Sequence, residues 1–596
     1  MSTKVSPGVE NQVYHGGDMK VFSPLDTMRH SAAHIMASAV LEMFPDAKFA
    51  YGPPIENGFY YDFELPRSLT PEDFPEIEKR MRRLIESGEP FVREEISRER
   101  ALEMFADQPY KVETINLLPE NETISIYTVG PFTDLCRGPH VENSGRIGPV
   151  KLLSLAAAYW RGDENRPQLQ RLYATAWPTQ GELDEYLWRL EEARKRDHRK
   201  IGKDLDLFMV SEQVGGGLVL WLPKGATIRR ELENFIVRAE QRAGYKHVYT
   251  PHIGKIDLYK TSGHWQHYRD SMYSPIEVEE EEYILRPMNC PHHIVAYKHG
   301  LHSYRELPIR LAELGTVYRY EKSGELTGMS RVRGFTINDA HIFCRPDQLR
   351  EEFVRVVELI QELYHAVGFR DYVYRVSLRD PADTEKYVGG DEMWAVAEDA
   401  IRDALDSIGA EYVEAVGEAA FYGPKLDVMV RDVLGREFAA STNQVDLYLP
   451  EAFELEYVDA DGSRKRPAMI HRAPIGSLER FFAFLTEQHA GAFPVWLSPV
   501  QAVVIPIADR HTEYAEEVAA NLRGEDIRVE VDARSERMQH KIREAQLQKV
   551  PYMLVVGDRE REAGAAAVRL RSGEDLKAQP ISEVLRMITK DIKERR

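Results

Sequence analysis

Apolar and polar positions divide this chain into regions of different rhythm. Between Met28 and Met43 apolar residues recur at helical spacing, and Phe59-Tyr-Tyr-Asp-Phe63 follows as a strand. A mixed α/β region is therefore predicted over 21–178. Leu183, Leu187 and Leu190 share one helical face ahead of a basic run, which predicts a connector helix over 180–203 within a linker of 179–205. From 206 to 495 strands and helices come in irregular order with hairpin signals, as expected of an antiparallel sheet. Past Pro494 and Pro499 the order becomes strand, helix, strand, with Ala502 to Ile507, Ile527 to Val531 and Tyr552 to Val556 as apolar strands. That alternation predicts a mostly parallel α/β domain over 496–596. The polar, aperiodic residues 1–20 read as a tail, and the whole as an α+β multidomain chain without internal repeats.

Composition narrows the function. The 596 residues exceed what one core organises, so three or four domains are expected. A formal charge of -20, from 77 Lys plus Arg against 97 Asp plus Glu, argues against a generic nucleic-acid coat protein. Any RNA contact must come from local patches. One is the basic run from Ala193 to Lys203, which describes a solvated interdomain helix equally well. Three cysteines exclude a disulfide framework, and the first residues, Met-Ser-Thr-Lys-Val-Ser-Pro-Gly, lack the apolar core of a secretory signal. No apolar run approaches the roughly 20 residues that span a bilayer. A soluble, cytoplasmic protein is expected.

The segment from Tyr318 to Cys344 carries the most chemistry. It places Arg319, Glu321, Arg331 and Arg333 on two β-favouring runs joined by a Gly-bearing polar loop, beside the ring of Phe335. Guanidinium forks can neutralise phosphate oxygens while an aromatic ring stacks on adenine, so the set suits a nucleoside triphosphate. Four charges on a hairpin also describe a solvated face.

This segment resembles the second signature motif of class II aminoacyl-tRNA synthetases. Its continuation through Asp339, His341 and Cys344 is similar to the threonyl-tRNA synthetases within that class, and the likeness runs from about His30 to the C-terminus. Gly244-Tyr-Lys-His-Val-Tyr-Thr-Pro251 resembles the first motif, whose proline lies at a homodimer interface in the family. Gly476-Ser-Leu-Glu-Arg-Phe481 resembles the third. The resemblance implies an antiparallel catalytic sheet over 206–495, an editing domain over 21–178 and an anticodon-binding domain over 496–596. With about 20 residues ahead of the editing region, the small ubiquitin-like domain that the family often carries is not expected here. The implied substrates are ATP with Mg²⁺, L-threonine and tRNA(Thr).

By the same resemblance Arg319 bridges the α-phosphate and the amino-acid carboxylate, Glu321 holds the adenine amino group and Phe335 stacks on the base. Arg331 and Arg480 hold the outer phosphates, and Met288, Asp339, Tyr422 and Gln444 line the amino-acid pocket. Cys290, His341 and His471 are widely spaced and, unaided, read as packed or surface residues, because they lack the short spacing of a zinc finger. Resemblance reverses this and implies three ligands to one Zn²⁺, leaving an open position that selects a β-hydroxy amino acid.

Serine also carries an amino group and a hydroxyl, and one methyl is worth only about 1 to 3 kcal/mol of discrimination, so a hydrolytic second site is expected. His30, His34, Cys136 and His140 by themselves suggest a metal site. Resemblance instead implies that this cluster, with Lys111 and Asp134, removes serine from mischarged tRNA without bound metal. Glu560 and Arg569 match anticodon-reading positions of the family, although surface Glu and Arg are mostly solvated. Ile337 and Ala439 stand where the family usually has Gln, His292 where Gly is common and Ser535 where Asn is frequent. A synthetase-like paralogue acting as an RNA-binding regulator, or a sister synthetase for another amino acid, are the competing readings.

Overall fold

The computed structural model describes residues 22–432 and 435–595, so the tail read over 1–20 lies outside the described residues. The chain divides into two compact units after Leu190, within the helix Gln180–Arg196. The predicted connector is two helices rather than one, Gln180–Arg196 and His198–Asp204, with Asp197 capping the second through the Arg199 N–H. Much of its basic charge is answered locally: Lys195 pairs with Glu192, Arg199 with Asp197 and Lys200 with Asp204. That pairing favours the solvated-helix reading of this stretch.

The first unit is built on the helix Pro24–Met43. Pro24 sits at its first turn, and Ser23 and Asp26 form a reciprocal capping box. Met28 to Val40 are buried without a polar face, because strands and a second helix enclose this helix. Its principal sheet carries the strands Lys48–Phe49, Gly58–Glu64, Gln168–Ala176 and Val150–Tyr159 in that order. A second sheet joins Val92–Ile96, Ile124–Val129 and Phe132–Leu135.

The second unit centres on an eight-stranded sheet. In spatial order its strands are Lys246–His247, Ile309–Tyr318, Gly334–Cys344, Ala468–Ala473, Glu437–Asp446, Lys425–Arg431, Tyr372–Leu378 and Tyr412–Val416. Every interior pairing is antiparallel, and only the two edge pairings are parallel. The helix Leu349–Val367 packs on this sheet through Phe353, Val356, Val357, Ile360, Leu363 and Tyr364, an i, i+3, i+4, i+7 stripe. It stops at Gly368, whose φ of 82° is a left-handed conformation that glycine adopts without strain. Truncating fully buried Ile360 to Ala would cost about 2 to 5 kcal/mol.

The C-terminal sheet contains Val529–Val531, Ala502–Pro506 and Tyr552–Val556, mutually parallel as the sequence predicts. Ala565–Leu570 and Asp575–Pro580 extend it with an antiparallel edge that the apolar pattern does not reveal. Among the described residues no helix is long and apolar enough to cross a membrane.

Candidate functional site

The strands Ile309–Tyr318 and Gly334–Cys344 form the predicted hairpin, and the charged residues lie on the loop between them rather than within the strands. The Arg319 N–H donates to the Arg333 carbonyl at 2.9 Å and closes the neck of that loop. Arg319 sits with its guanidinium 5.2 Å from the Phe335 ring centroid and donates to the Pro287 carbonyl at 3.3 Å. Its Nη2 also approaches Met288 Sδ at 3.1 Å. Arg333 turns away to brace the loop through the carbonyls of Glu321 and Gly216.

Arg480 enters from the helix Leu478–Gln488 and donates Nε to the Ser330 carbonyl at 3.1 Å. Burial lowers its pKa, and the neighbouring Arg331 lowers it further. A buried guanidinium with a second one beside it suits an anionic partner. Arg331 donates to Glu321 at 2.7 Å. The residues that resemblance assigns to opposite ends of ATP therefore hold one another here, in a half-exposed ion pair worth about 0 to 1 kcal/mol. A ligand can part them at little cost.

Behind this loop the sheet assembles the metal-ligand candidates. His341 and His471 are direct cross-strand partners, and Cys290 opens the helix Cys290–Tyr297. Their donor atoms lie within 4.8 Å of one another, and all three residues are buried. Hydrogen bonds set the tautomers. Glu313 accepts from His293 Nε2 at 3.1 Å, so His293 Nδ1 is an acceptor for His341 Nδ1–H at 2.8 Å. His341 Nε2 is thereby left with its lone pair available. Asp446 accepts from His471 Nε2 at 2.7 Å, which leaves the lone pair on His471 Nδ1. Burial opposes ionisation of Glu313, yet its bonds from His293, Thr250 and Arg286 draw its pKa down to about 2. A permanent carboxylate thus anchors the chain of tautomers.

Burial holds His341 well below the ordinary imidazole range and pushes the Cys290 thiol well up. Two imidazoles whose outer nitrogens are engaged and one thiol that needs a cation to ionise form a donor set that fits zinc, with carboxylates orienting the rings. Tyr422 stacks on His471 with centroids 4.8 Å apart and donates to Gln444 at 2.7 Å. Asp339 accepts from Asn289 at 3.0 Å, and burial raises its pKa. The amino-acid-pocket candidates therefore surround the three donors. His264, buried, stands 3.7 Å from Cys290 Sγ.

In the first unit the N-terminal candidates also converge. His30 donates Nδ1–H to the Pro139 carbonyl at 3.0 Å, and His140 donates Nδ1–H to Ser31 Oγ, itself committed as donor to Thr27. Both rings therefore turn an Nε2 lone pair toward Cys136 Sγ, at 3.4 and 3.2 Å. Asp134 binds Lys111 at 2.5 Å and accepts from Tyr61 at 2.5 Å. Burial depresses His30 to about 4 and holds His34 and His140 well below the usual value, while the Cys136 thiol rises to about 12. The result is a cage of neutral bases whose geometry also fits a cation.

In the C-terminal domain Glu560 Oε2 accepts from the Gly557 N–H at 3.0 Å and caps the helix Asp558–Ala563, so its carboxylate already has a structural task. Arg569 lies on the strand Ala565–Leu570, 3.8 Å from Asp575. The residues that sequence reading missed are Glu313, His293, Asp446 and His264. Their one signal is polarity at inward positions of apolar strands and helices, and nothing local joins them to the ligands.

Residues 273–489 match the tRNA synthetase class II core domain (G, H, P, S and T). Residues 501–591 match an anticodon binding domain, and 124–173 match the threonyl and alanyl tRNA synthetase second additional domain. A threonine–tRNA ligase of Bacillus velezensis is 56% identical over 548 residues, covering 91% of this chain and 85% of the relative. One from Dehalococcoides mccartyi is 55% identical over 576 residues, covering 97% of this chain and 98% of the relative. A crystal structure described as the RNA binding domain of threonyl-tRNA synthetase from Cryptosporidium parvum Iowa II is 38% identical with a TM-score of 0.63. It matches 66% of this chain and 98% of its own.

Proposed function

Because the chain belongs to the threonine–tRNA ligase family of class II aminoacyl-tRNA synthetases, we propose a division of labour for the residues of its two sites. The chain joins threonine to tRNA at the expense of ATP, and its N-terminal region edits the product. The reading as a non-catalytic RNA-binding regulator is not favoured.

In the first step the threonine carboxylate attacks the α-phosphorus of ATP, a P–O bond breaks and pyrophosphate leaves. Attack of one anion on another requires pre-placed positive charge. Arg319, beside Phe335, is assigned to the carboxylate and α-phosphate, Glu321 to the adenine amino group and Phe335 to the base. Arg331 and Arg480 are assigned to the outer phosphates. Mg²⁺ accompanies the nucleotide, as in class II enzymes generally.

The reading of threonine rests on the convergence of Cys290, His341 and His471 within 4.8 Å. Cys290, His341 and His471 would hold Zn²⁺, which would supply Lewis acidity toward an amino group and a hydroxyl. Asp339 accepts a hydrogen bond from the hydroxyl, while Tyr422, Gln444 and Met288 enclose the remainder. Valine lacks the hydroxyl and would leave Asp339 with only its hydrogen bond from Asn289, and a site built around a hydroxyl discriminates by about 10⁴ to 10⁵. Serine keeps it, so removal of serine from tRNA(Thr) falls to the N-terminal cage. There the lone pairs of His30, His34 and His140 position and polarise the attacking water without a bound metal, and the buried Lys111–Asp134 pair belongs to the same cluster.

The domain limits of 21–178, 179–205, 206–495 and 496–596 belong to this proposal, with Glu560 and Arg569 on the anticodon side. So does a homodimer in the cytoplasm. Tyr249, in the motif ending at Pro251, is 96% exposed in the single chain, and a second copy would cover it. The deciding experiment is pyrophosphate exchange with threonine, serine and valine before and after metal removal. Exchange should proceed with threonine and serine, fail with valine and cease on chelation. Full exchange by metal-free enzyme would refute the zinc assignment.

A further inference from the structure

The connector helix His198–Asp204 reaches the nucleotide loop through one side chain. His198 is 3% exposed. Its Nδ1 donates to Glu487 at 2.7 Å, and its Nε2 accepts the backbone N–H of Met329 at 3.1 Å. Glu487 lies two turns beyond Arg480 on the helix Leu478–Gln488. One helix therefore grips the loop twice, through Arg480 to the Ser330 carbonyl and through Glu487 and His198 to the Met329 N–H. The loop tip is closed by Thr327 and Arg331, which exchange backbone bonds, and the Met329 side chain is fully buried. Gly328, at φ +48°, passes so near that an added Cβ would fall 2.2 Å from His198 Nε2.

Asp197, His198 and Glu487 cluster like metal ligands, but their donors are engaged: Asp197 by Arg199, and His198 on both ring nitrogens. The geometry points to a different role. We infer that His198 is a positioning residue: oriented by Glu487, it fixes the Met329 N–H and thereby holds Arg331 beside Arg480 for the outer phosphates of ATP. This inference rests on the phosphate assignment of those two arginines. The connector then does more than join domains, because it supplies a pin for the activation step.

The test is threonine-dependent ATP–pyrophosphate exchange with ATP and threonine varied separately, together with thermal melting. His198→Ala should raise the KM for ATP about tenfold, as expected for a buried N–H left without its acceptor, and leave the KM for threonine unchanged. His198→Gln, whose amide oxygen reaches as far as Nε2, should recover most of the loss. Gly328→Ala, whose methyl would wedge between the loop and His198, should reproduce the defect and keeps the test open if His198→Ala does not fold. An unchanged KM for ATP in the folded variants would overturn the inference. So would equal defects in the Ala and Gln variants, or parallel rises for ATP and threonine that track a lower Tm. Arg331→Ala and Arg480→Ala are run alongside. If they too leave the KM for ATP unaltered, the phosphate assignment itself has failed; if they raise it while the His198 variants do not, only the pin is wrong.

Discussion

Glu313→Gln isolates the chain of tautomers behind His341. Glu313 Oε1 accepts from the Thr250 N–H at 3.0 Å and from Arg286 at 3.3 and 3.4 Å, whereas Oε2 faces Thr250 Oγ1 and His293. In the variant the amide oxygen must take the side crowded with Arg286 and backbone donors, because an NH₂ there would meet only other donors. The NH₂ then points at His293 Nε2 and donates to it. His293 moves its proton to Nδ1 and donates to His341 Nδ1, and His341 must carry its own proton on Nε2, where the lone pair required by the zinc proposal was. The substitution is nearly isosteric but removes the carboxylate that faces buried Arg286, a cost of about 3 to 5 kcal/mol, so affinity is read on protein that circular dichroism shows to be folded. Loss of a ring-orienting partner lowers metal affinity about 10- to 100-fold, or 1.4 to 2.7 kcal/mol. Competition for zinc against a chromophoric chelator measures the affinity, and threonine-dependent exchange titrated with zinc measures the consequence. The variant should need proportionally more zinc while its KM for ATP stays normal. Wild-type zinc affinity in folded Glu313→Gln would refute the tautomer argument.

Arg480→Ala should depress adenylate formation by at least tenfold with a near-normal melting temperature; normal single-turnover activation would remove its phosphate role. His30→Ala combined with His34→Ala should slow hydrolysis of seryl-tRNA about 10²- to 10⁴-fold without affecting threonine activation, and undiminished deacylation excludes the cage as the editing site. Chelation sufficient to stop threonine activation should leave deacylation intact; its loss would place a metal among His30, His34, Cys136 and His140. Acid should unfold the N-terminal unit early. His30 falls from an ordinary value of 6.5 to about 4 on burial. The unfolded chain therefore takes up its proton first, and stability present above pH 6.5 is lost as pH falls to about 4. That loss is about 3 kcal/mol for this residue, with His34 and His140 adding in the same direction. Calorimetry that finds the first transition independent of pH over that window would contradict the neutral, buried assignment.

The hairpin around Phe335, the helix bearing His30 and His34 and the three parallel C-terminal strands are legible along the chain, because periodicity and turn residues act over a few positions. The antiparallel edge of the last domain is less so: Ala565–Leu570 is rich in alanine and Asp575–Pro580 is polar, so neither stands out as an apolar run. Cys290, His341 and His471 acquire meaning as ligands from family likeness alone, since their spacing carries no local signature. What folding adds is the hydrogen-bonded environment around the three donors. Glu313 lies 20 residues from His293, His293 lies 48 from His341, and Asp446 lies 25 from His471. Each pair meets through strand register or through a helix docked on the sheet. Which ring nitrogen keeps its lone pair is an outcome of hydrogen bonds across those contacts. Composition and periodicity carry no trace of it, because a proton's position answers to neighbours in space.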